Sequence, residues 1–272
     1  WDHGRRDRFG FSLAPPLVPV VGGLQQGARP PGSRRVPRLG DEVEWIAWNC
    51  RSFSAKKGAE LATVCAEVSP GFVALSEVHR LCTAAMVPLQ ANYDGFWAVR
   101  SGRQGGGVGL LVNRKRYLTQ QLPRPESLAP FLEIVAVQLH PRNEETSSFT
   151  VVAVYIPPTS VEQPVPAAAV AAGVSDIVGW CSPAILVGDW NARHLSWDPL
   201  TPSSVASGAP ARGDKLFPAI TTEDYRVEAP DEPTYAPPRN ATPDEPAIDG
   251  GSVLDFAVVH GSYAHSQVTV VP

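Results

Sequence analysis

Three acidic side chains stand directly against short apolar runs: Glu77 after Phe72-Val-Ala-Leu-Ser, Asp189 after Ala184-Ile-Leu-Val-Gly, and Asp255 just inside Ser252-Val-Leu. Strand ends collect site residues, although a single acid there is most often a cap or a turn residue. Gly188-Asp189-Trp190-Asn191 sets a carboxylate and a carboxamide two residues apart, so an extended segment points both the same way. Their oxygens suit a hard, water-keeping cation such as Mg²⁺. Asn49 closes Trp45-Ile-Ala-Trp and is either another amide for the same sheet end or a turn residue. Tyr155 closes Thr150-Val-Val-Ala-Val, ahead of Ile156-Pro157-Pro158. It is either a core-edge aromatic or a phenol donating to a phosphate oxygen.

These residues need a scaffold of short buried strands. Apolar runs bounded by turn residues predict strands over Val43–Trp48, Phe72–Leu75, Val108–Val112, Ile134–Leu139, Phe149–Tyr155, Ala184–Val187, Val253–Val259 and Val268–Val271. Leu61, Val64, Cys65 and Val68 fall at helical spacing and predict an amphipathic helix over Lys57–Val68. Val170, Val174, Ile177 and Cys181 mark a second helix, and residues 213–220 a short third. Gly105-Gly-Gly precedes the run Val108–Val112, so it reads as the start of a strand or hairpin rather than a phosphate cradle. Many strands and few helices predict two packed sheets with helices outside them.

Composition narrows the class. The chain has 272 residues, 43% of them hydrophobic, enough for one large core with an arm. No stretch approaches the roughly 20 apolar residues of a membrane span, and no signal-peptide pattern opens the chain. Neither a membrane nor a secreted protein is expected. The four cysteines form no metal-binding pair and read as reduced thiols of an intracellular protein. Residues 1–40 carry seven Arg against Asp2 and Asp7, with many Pro and Gly, and read as a basic arm or leader of which Leu17–Val21 could pack on the body. The overall charge of −4 therefore leaves −9 on residues 41–272, so nucleic-acid binding would need a local basic surface.

As an ordered set the motifs are recognisable. Asn49, Glu77, Gly105-Gly-Gly-Val-Gly-Leu-Leu-Val, Tyr155, Gly188-Asp-Trp-Asn-Ala-Arg-His-Leu-Ser-Trp, Pro233-Thr-Tyr and Ser252-Val-Leu-Asp-Phe resemble the endonuclease/exonuclease/phosphatase superfamily over residues 42–272. Within it, the sequence is most similar to the apurinic-type endonuclease domain of non-LTR, LINE-type retrotransposons, the trypanosomatid kind among them. The resemblance implies an α/β fold, a four-layer sandwich of two packed, mostly antiparallel β-sheets flanked by helices. It also implies phosphodiester hydrolysis with Mg²⁺ or Mn²⁺. Carried over by position, Glu77 would be the principal metal ligand with Asn49 beside it. Asp189 would orient and deprotonate the attacking water, and Asn191 and Tyr155 would hold phosphate oxygens. Asp255 would orient a catalytic histidine that in the family stands in a Ser-Asp-His triplet one loop and strand farther on. Neither His260 nor His265 has that context, so the domain over residues 41–272 is expected to lack that segment, by truncation rather than decay.

The leading expectation is an endonuclease that nicks double-stranded DNA to leave a 3′-hydroxyl, which primes reverse transcription by a downstream reverse-transcriptase domain of the same polyprotein. A chromosomal substrate implies a nuclear protein. Arg193, Arg51 and Arg80 are the expected phosphate contacts, among a wider set of Lys56, Lys57, Arg100, Arg103, Arg114–Arg116, Arg212 and Lys215 near site-forming loops. Trp197 either packs under the site or stacks near a base. The alternatives are a phosphatase of the same superfamily, with Phe256 after Asp255 counting against an inositol phosphatase, and an inactive binding or scaffold module.

Overall fold

An apolar run too short for a helix must be covered on both faces, and this chain covers its runs by stacking two sheets between helices. The computed structural model describes residues 20–24, 43–80, 82–100, 105–143, 147–158, 165–197, 211–222, 224–231, 234, 254–263 and 266–270. The first sheet contains β1 (Val20–Leu24), β2 (Val43–Asn49), β3 (Phe72–Ser76), β4 (Tyr93–Ala98), β5 (Val108–Asn113) and β12 (Ser266–Val270), in the order β12-β1-β2-β3-β5-β4. The second contains β6 (Tyr117–Leu122), β7 (Glu133–Pro141), β8 (Phe149–Tyr155), β9 (Ala184–Asp189), β10 (Tyr225–Glu228) and β11 (Asp255–His260), in the order β10-β11-β9-β8-β7-β6. Among the described residues only β2–β3 and β8–β9 pair in parallel. A parallel pair needs a crossover, and α1 (Ala55–Val68) and α3 (Ala167–Cys181) supply the two.

Alternation sorts the side chains into three apolar layers. Trp45 and Ala47 of β2 meet Val151, Ala153 and Tyr155 of β8 between the sheets. Ile46 and Trp48 face outward, onto Leu61 and Cys65 of α1 and Ala85 of the short α2 (Thr83–Met86). Val152, Val154 and Leu186 face the other way, onto Val170, Val174 and Ile177 of α3 and Leu216 and Ile220 of α4 (Ala211–Thr222). The four-layer sandwich expected from the sequence is therefore the observed architecture.

Each of the eight expected strands is present, within a few residues of its expected bounds. The strands β4, β6 and β10 are additions, and each lies at the edge of a sheet, where one side of the strand meets no partner strand among the described residues. Val20–Leu24, inside the basic segment, forms β1 between β12 and β2, antiparallel to both. The rest of residues 1–40 lies outside the described residues.

Candidate active site

The parallel pairs decide where the site forms, because both run their C-terminal ends to the same edge of the sandwich. In the first sheet Asn49 lies opposite Ser76, with Glu77 the next residue. In the second, Tyr155 lies opposite Asp189, which is itself opposite Asp255 at the start of the antiparallel β11. Side chains join the two sheets there. The Asn49 Nδ2 donates to Asp189 Oδ2 at 2.7 Å and to Glu77 Oε1 at 3.2 Å. Asp189 Oδ1 accepts the Asn191 backbone N–H at 3.0 Å, and the Asn191 Nδ2 donates to the Ile156 carbonyl at 2.9 Å. Thus Asn49, Glu77, Asp189 and Asn191 are joined by hydrogen bonds, with Tyr155 and Asp255 alongside Asp189.

Local backbone explains the residue choices. Gly188 has φ 152°, and a Cβ there would lie 1.9 Å from the Val154 carbonyl oxygen, so β8 and β9 meet just before Asp189 only with glycine. Trp190 anchors the next turn from the buried side, stacking on Phe256 and donating from Nε1 to the Phe256 carbonyl at 3.0 Å. Arg51, Glu77, His79 and Asn191 all take positive φ, a conformation that non-glycine residues rarely hold and that clusters at functional sites. Thr234 Oγ1 accepts the N–H groups of Leu254 and Asp255 at 2.9 and 3.1 Å, fixing the start of β11.

Burial crowds acidic side chains at this edge and opposes their ionisation. Desolvation first, then the neighbouring Asp255 and Glu77, hold the Asp189 carboxyl well above the usual carboxylate range. Desolvation, with Glu77 adding to it, lifts Asp255 to about 7, while the Thr234 hydroxyl and Arg51 work against the rise. Asp255 Oδ1 is buried with no hydrogen-bond partner among the described residues. Both carboxyls keep protons in the folded chain at pH values where an unfolded aspartate, with a pKa of about 3.9, has lost them. The folded state then binds more protons, and each extra proton costs about 1.4 kcal/mol of stability per pH unit gained. Thermal unfolding in a chelator should therefore show stability falling as pH rises from about 4 to about 7. Asp255→Asn should flatten that decline in part, and a profile already flat in the parent chain would show that neither desolvation nor repulsion lifts these carboxyls.

The residues fit a hard divalent cation. Among the described residues no three His, Cys, Asp or Glu form a ready-made cage. Mg²⁺ and similar ions need none, since they keep several waters and take one or two carboxylates plus substrate phosphate. Glu77, with a side chain 24% exposed, can meet such an ion from the solvent side. Asp189 and Asp255, the latter with an unpartnered buried Oδ1, are acids that a nearby cation would favour in their ionised form.

The rim is less uniform than the sequence suggests. Arg51 and Arg193 are half-buried near the cluster, and Arg80 is exposed three residues after Glu77. Lys57 is spent on the carbonyls of Cys50 and Arg51, and Arg100 pairs with Glu133. Arg212 is buried and donates to the carbonyls of Pro157 and Asn191 at 3.0 and 3.1 Å, so it braces the loop after Asp189. Arg114 pairs with Asp94 at 2.6 Å in the turn after β5, whose pairing with β3 places that turn at the far end of the sheet from Glu77. The expectation that Arg114–Arg116 lies near the site is thus corrected; Arg103 lies outside the described residues.

Trp197 is 3% exposed and packs on Phe256, Phe217 and His194, with Nε1 donating to the Ala192 carbonyl. It supports the site from beneath, and a base has no access to its ring. His260 closes β11 at the end away from Asp255 and contacts Ser262 and Tyr225, so it is no substitute for a histidine at Asp255. His265 lies outside the described residues. Sequence reasoning passed over two neighbours: His79, whose Nε2 stands 3.8 Å from Glu77 Oε2, and Glu133, buried opposite Tyr155. Glu133 carries the same signal as the others, an acid against an apolar run, but at the run's beginning.

Residues 46–272 match the model of the endonuclease/exonuclease/phosphatase family. The chain belongs to this family. Family members hydrolyse phosphodiesters or phosphomonoesters, generally with a divalent metal. No curated protein matches the sequence significantly. Among solved structures, the endonuclease domain of TRAS1, a telomere-specific non-LTR retrotransposon, is 18% identical, with a TM-score of 0.56 over 79% of this chain and 84% of that one. The AP endonuclease LMAP from Leishmania major gives 12% identity and a TM-score of 0.56 over 84% of this chain and 87% of that one. The 3′ phosphatase NExo from Neisseria, bound to a product DNA hairpin, gives 15% and 0.56 over 79% and 86%. At these identities the likeness is one of fold, and the family includes both nucleases and phosphatases.

Proposed function

We propose that this chain is a divalent-cation-dependent endonuclease that nicks double-stranded DNA and leaves a 3′-hydroxyl, from which a retroelement's RNA is reverse-transcribed. The observation that carries the reading is the Asn49 amide, which ties Glu77 of one sheet to Asp189 of the other and so sets a cation ligand beside a base. Glu77 and Asn49 would hold the cation, which when bound supplies positive charge next to the oxygens of the scissile phosphate. Positive charge at Glu77 would hold Asp189 ionised, so that it aligns a water and takes its proton on a carboxylate oxygen; the Asn49 and Asn191 hydrogen bonds fix that carboxylate's orientation. Asn191 and Tyr155 offer donors to the phosphate oxygens where charge grows. Arg51, Arg193 and Arg80 would receive the flanking DNA phosphates at the rim. The motif His194-Leu-Ser-Trp197, with its resemblance to the retroelement version, favours DNA over a small phosphoester. A reverse-transcriptase domain downstream in the same polyprotein and a nuclear location go with this reading.

Supercoiled plasmid incubated with the protein and Mg²⁺ or Mn²⁺ should relax to open circles, and a DNA polymerase should extend the nicked ends without prior end repair. Release of phosphate from small phosphoesters with no nicking would move the reading to a phosphatase. No hydrolysis of either substrate, together with no cation-dependent thermal stabilisation of a folded sample, would leave an inert binding module.

A further inference from the structure

Glu77 lies outside the strand that delivers it. β3 ends at Ser76, and Glu77 itself takes φ 52°, so the carboxylate is aimed by whatever holds the next residues in place. Two segments do so. From one side, the Ser52 and Phe53 N–H groups donate to the carbonyls of Glu77 and Val78 at 2.6 and 3.2 Å. From the other, the Val78 and His79 N–H groups donate to the carbonyls of Gly107 and Gly106 at 3.1 and 2.7 Å.

The second support has no stiffness of its own. Gly105, Gly106 and Gly107 carry φ of 85°, 72° and 87°, and a run of glycines without side chains is free to leave that conformation. An ion pair, buried on the glutamate side and half-buried on the arginine side, holds it. The Glu133 carboxylate, from the first residue of β7 in the other sheet, accepts the Gly107 N–H and meets the Arg100 guanidinium. The fit is close: a Cβ on Gly106 would stand 2.8 Å from both the Arg100 guanidinium carbon and Glu133 Oε1. An ion pair so largely removed from water adds little stability over an apolar filling, so its use is better sought in what it fixes.

We propose that the Arg100–Glu133 pair is a positioning device for Glu77, acting through Gly106 and Gly107 on the backbone of Val78 and His79. It touches neither substrate nor cation. Resting as it does on the reading that Glu77 holds a divalent ion, the proposal predicts weaker cation binding when the pair is broken, as for other residues that orient a ligand.

Mn²⁺ titration followed by electron paramagnetic resonance tests it on the full chain, alongside amide hydrogen exchange of the cation-free protein. Glu133→Ala should weaken Mn²⁺ binding about tenfold or more and speed exchange at Val78 and His79. Glu133→Gln, whose side-chain oxygen still accepts the Gly107 N–H, should recover most of both. If Glu133→Ala does not fold, Arg100→Gln carries the test, with weakening expected in the same direction. Wild-type Mn²⁺ affinity and wild-type protection at Val78 and His79, however far the melting temperature falls, would reduce the pair to a structural element and overturn the proposal. Glu77→Ala separates the two ideas. Binding of Mn²⁺ by Glu77→Ala as tight as in the parent, or no binding by the parent, overturns the ligand reading and the positioning role with it.

Discussion

Asp189→Asn should cut the turnover of phosphodiester cleavage by about a thousandfold while making the cation-free protein more stable. The two effects have one origin. Asp189 is buried, and Asp255 and Glu77 both repel its charge. The asparagine keeps its size and removes that repulsion, so the melting temperature should rise by a few degrees. An amide cannot take the proton of the attacking water, so the chemical step is lost. DNA affinity should change little, because Arg51, Arg193 and Arg80 are untouched; the loss then appears in kcat rather than KM. The asparagine also sets an NH₂ group against a donor that now meets a carboxylate oxygen, either the Asn49 amide or the Asn191 N–H. Turnover within about tenfold of the parent would be less than general-base removal costs, and would mean that another group receives the proton.

Glu77→Ala should bring nicking below detection and remove the response to Mg²⁺ altogether. For a parent chain at a hundred times its cation dissociation constant, binding adds about 2.7 kcal/mol of stability. The variant should show none of this, with its melting temperature in chelator at or somewhat above the parent's, because Glu77 no longer opposes Asp189 and Asp255. Its fold is expected to survive, since Glu77 lies beyond β3 and its carboxylate contacts only the Asn49 amide and His79 among the interactions described. Mg²⁺-dependent stabilisation equal to the parent's would remove Glu77 as the ligand. Together the two substitutions separate holding the ion from moving the proton, because only Asp189→Asn should retain the thermal response to metal.

How much of this was legible follows from which faces are buried. β3, β5, β8 and β9 are covered on both sides and so appear in the sequence as unbroken apolar runs. The edge strands β4 and β6 are covered on part of their surface, and Tyr117-Leu-Thr-Gln-Gln-Leu carries no such run. Asp189 and Glu77 were readable because each directly follows a run whose end had to lie at a sheet margin. That both margins coincide, and that Asn49 spans them, depends on how the sheets stack, which no local pattern encodes. The arginines show the same limit from the other direction. Arg114 and Arg212 look alike in sequence, but pairing direction sends one to the far end of its sheet and packing turns the other into a buried brace.

The acidic cluster draws Asn49 and Glu77 from early in the chain and Asp255 from late in it, and β1 finds its second neighbour only in β12. On the ribosome, then, the first sheet waits with an unpaired edge until residue 270 has emerged, and no nascent chain shorter than 255 residues contains Glu77, Asp189 and Asp255 together. Assembly is governed by the order of synthesis: contacts this distant in sequence form late, and the half that emerges first must stay unaggregated in the meantime. The candidate site would in this way be completed only when nearly all of this domain has been made.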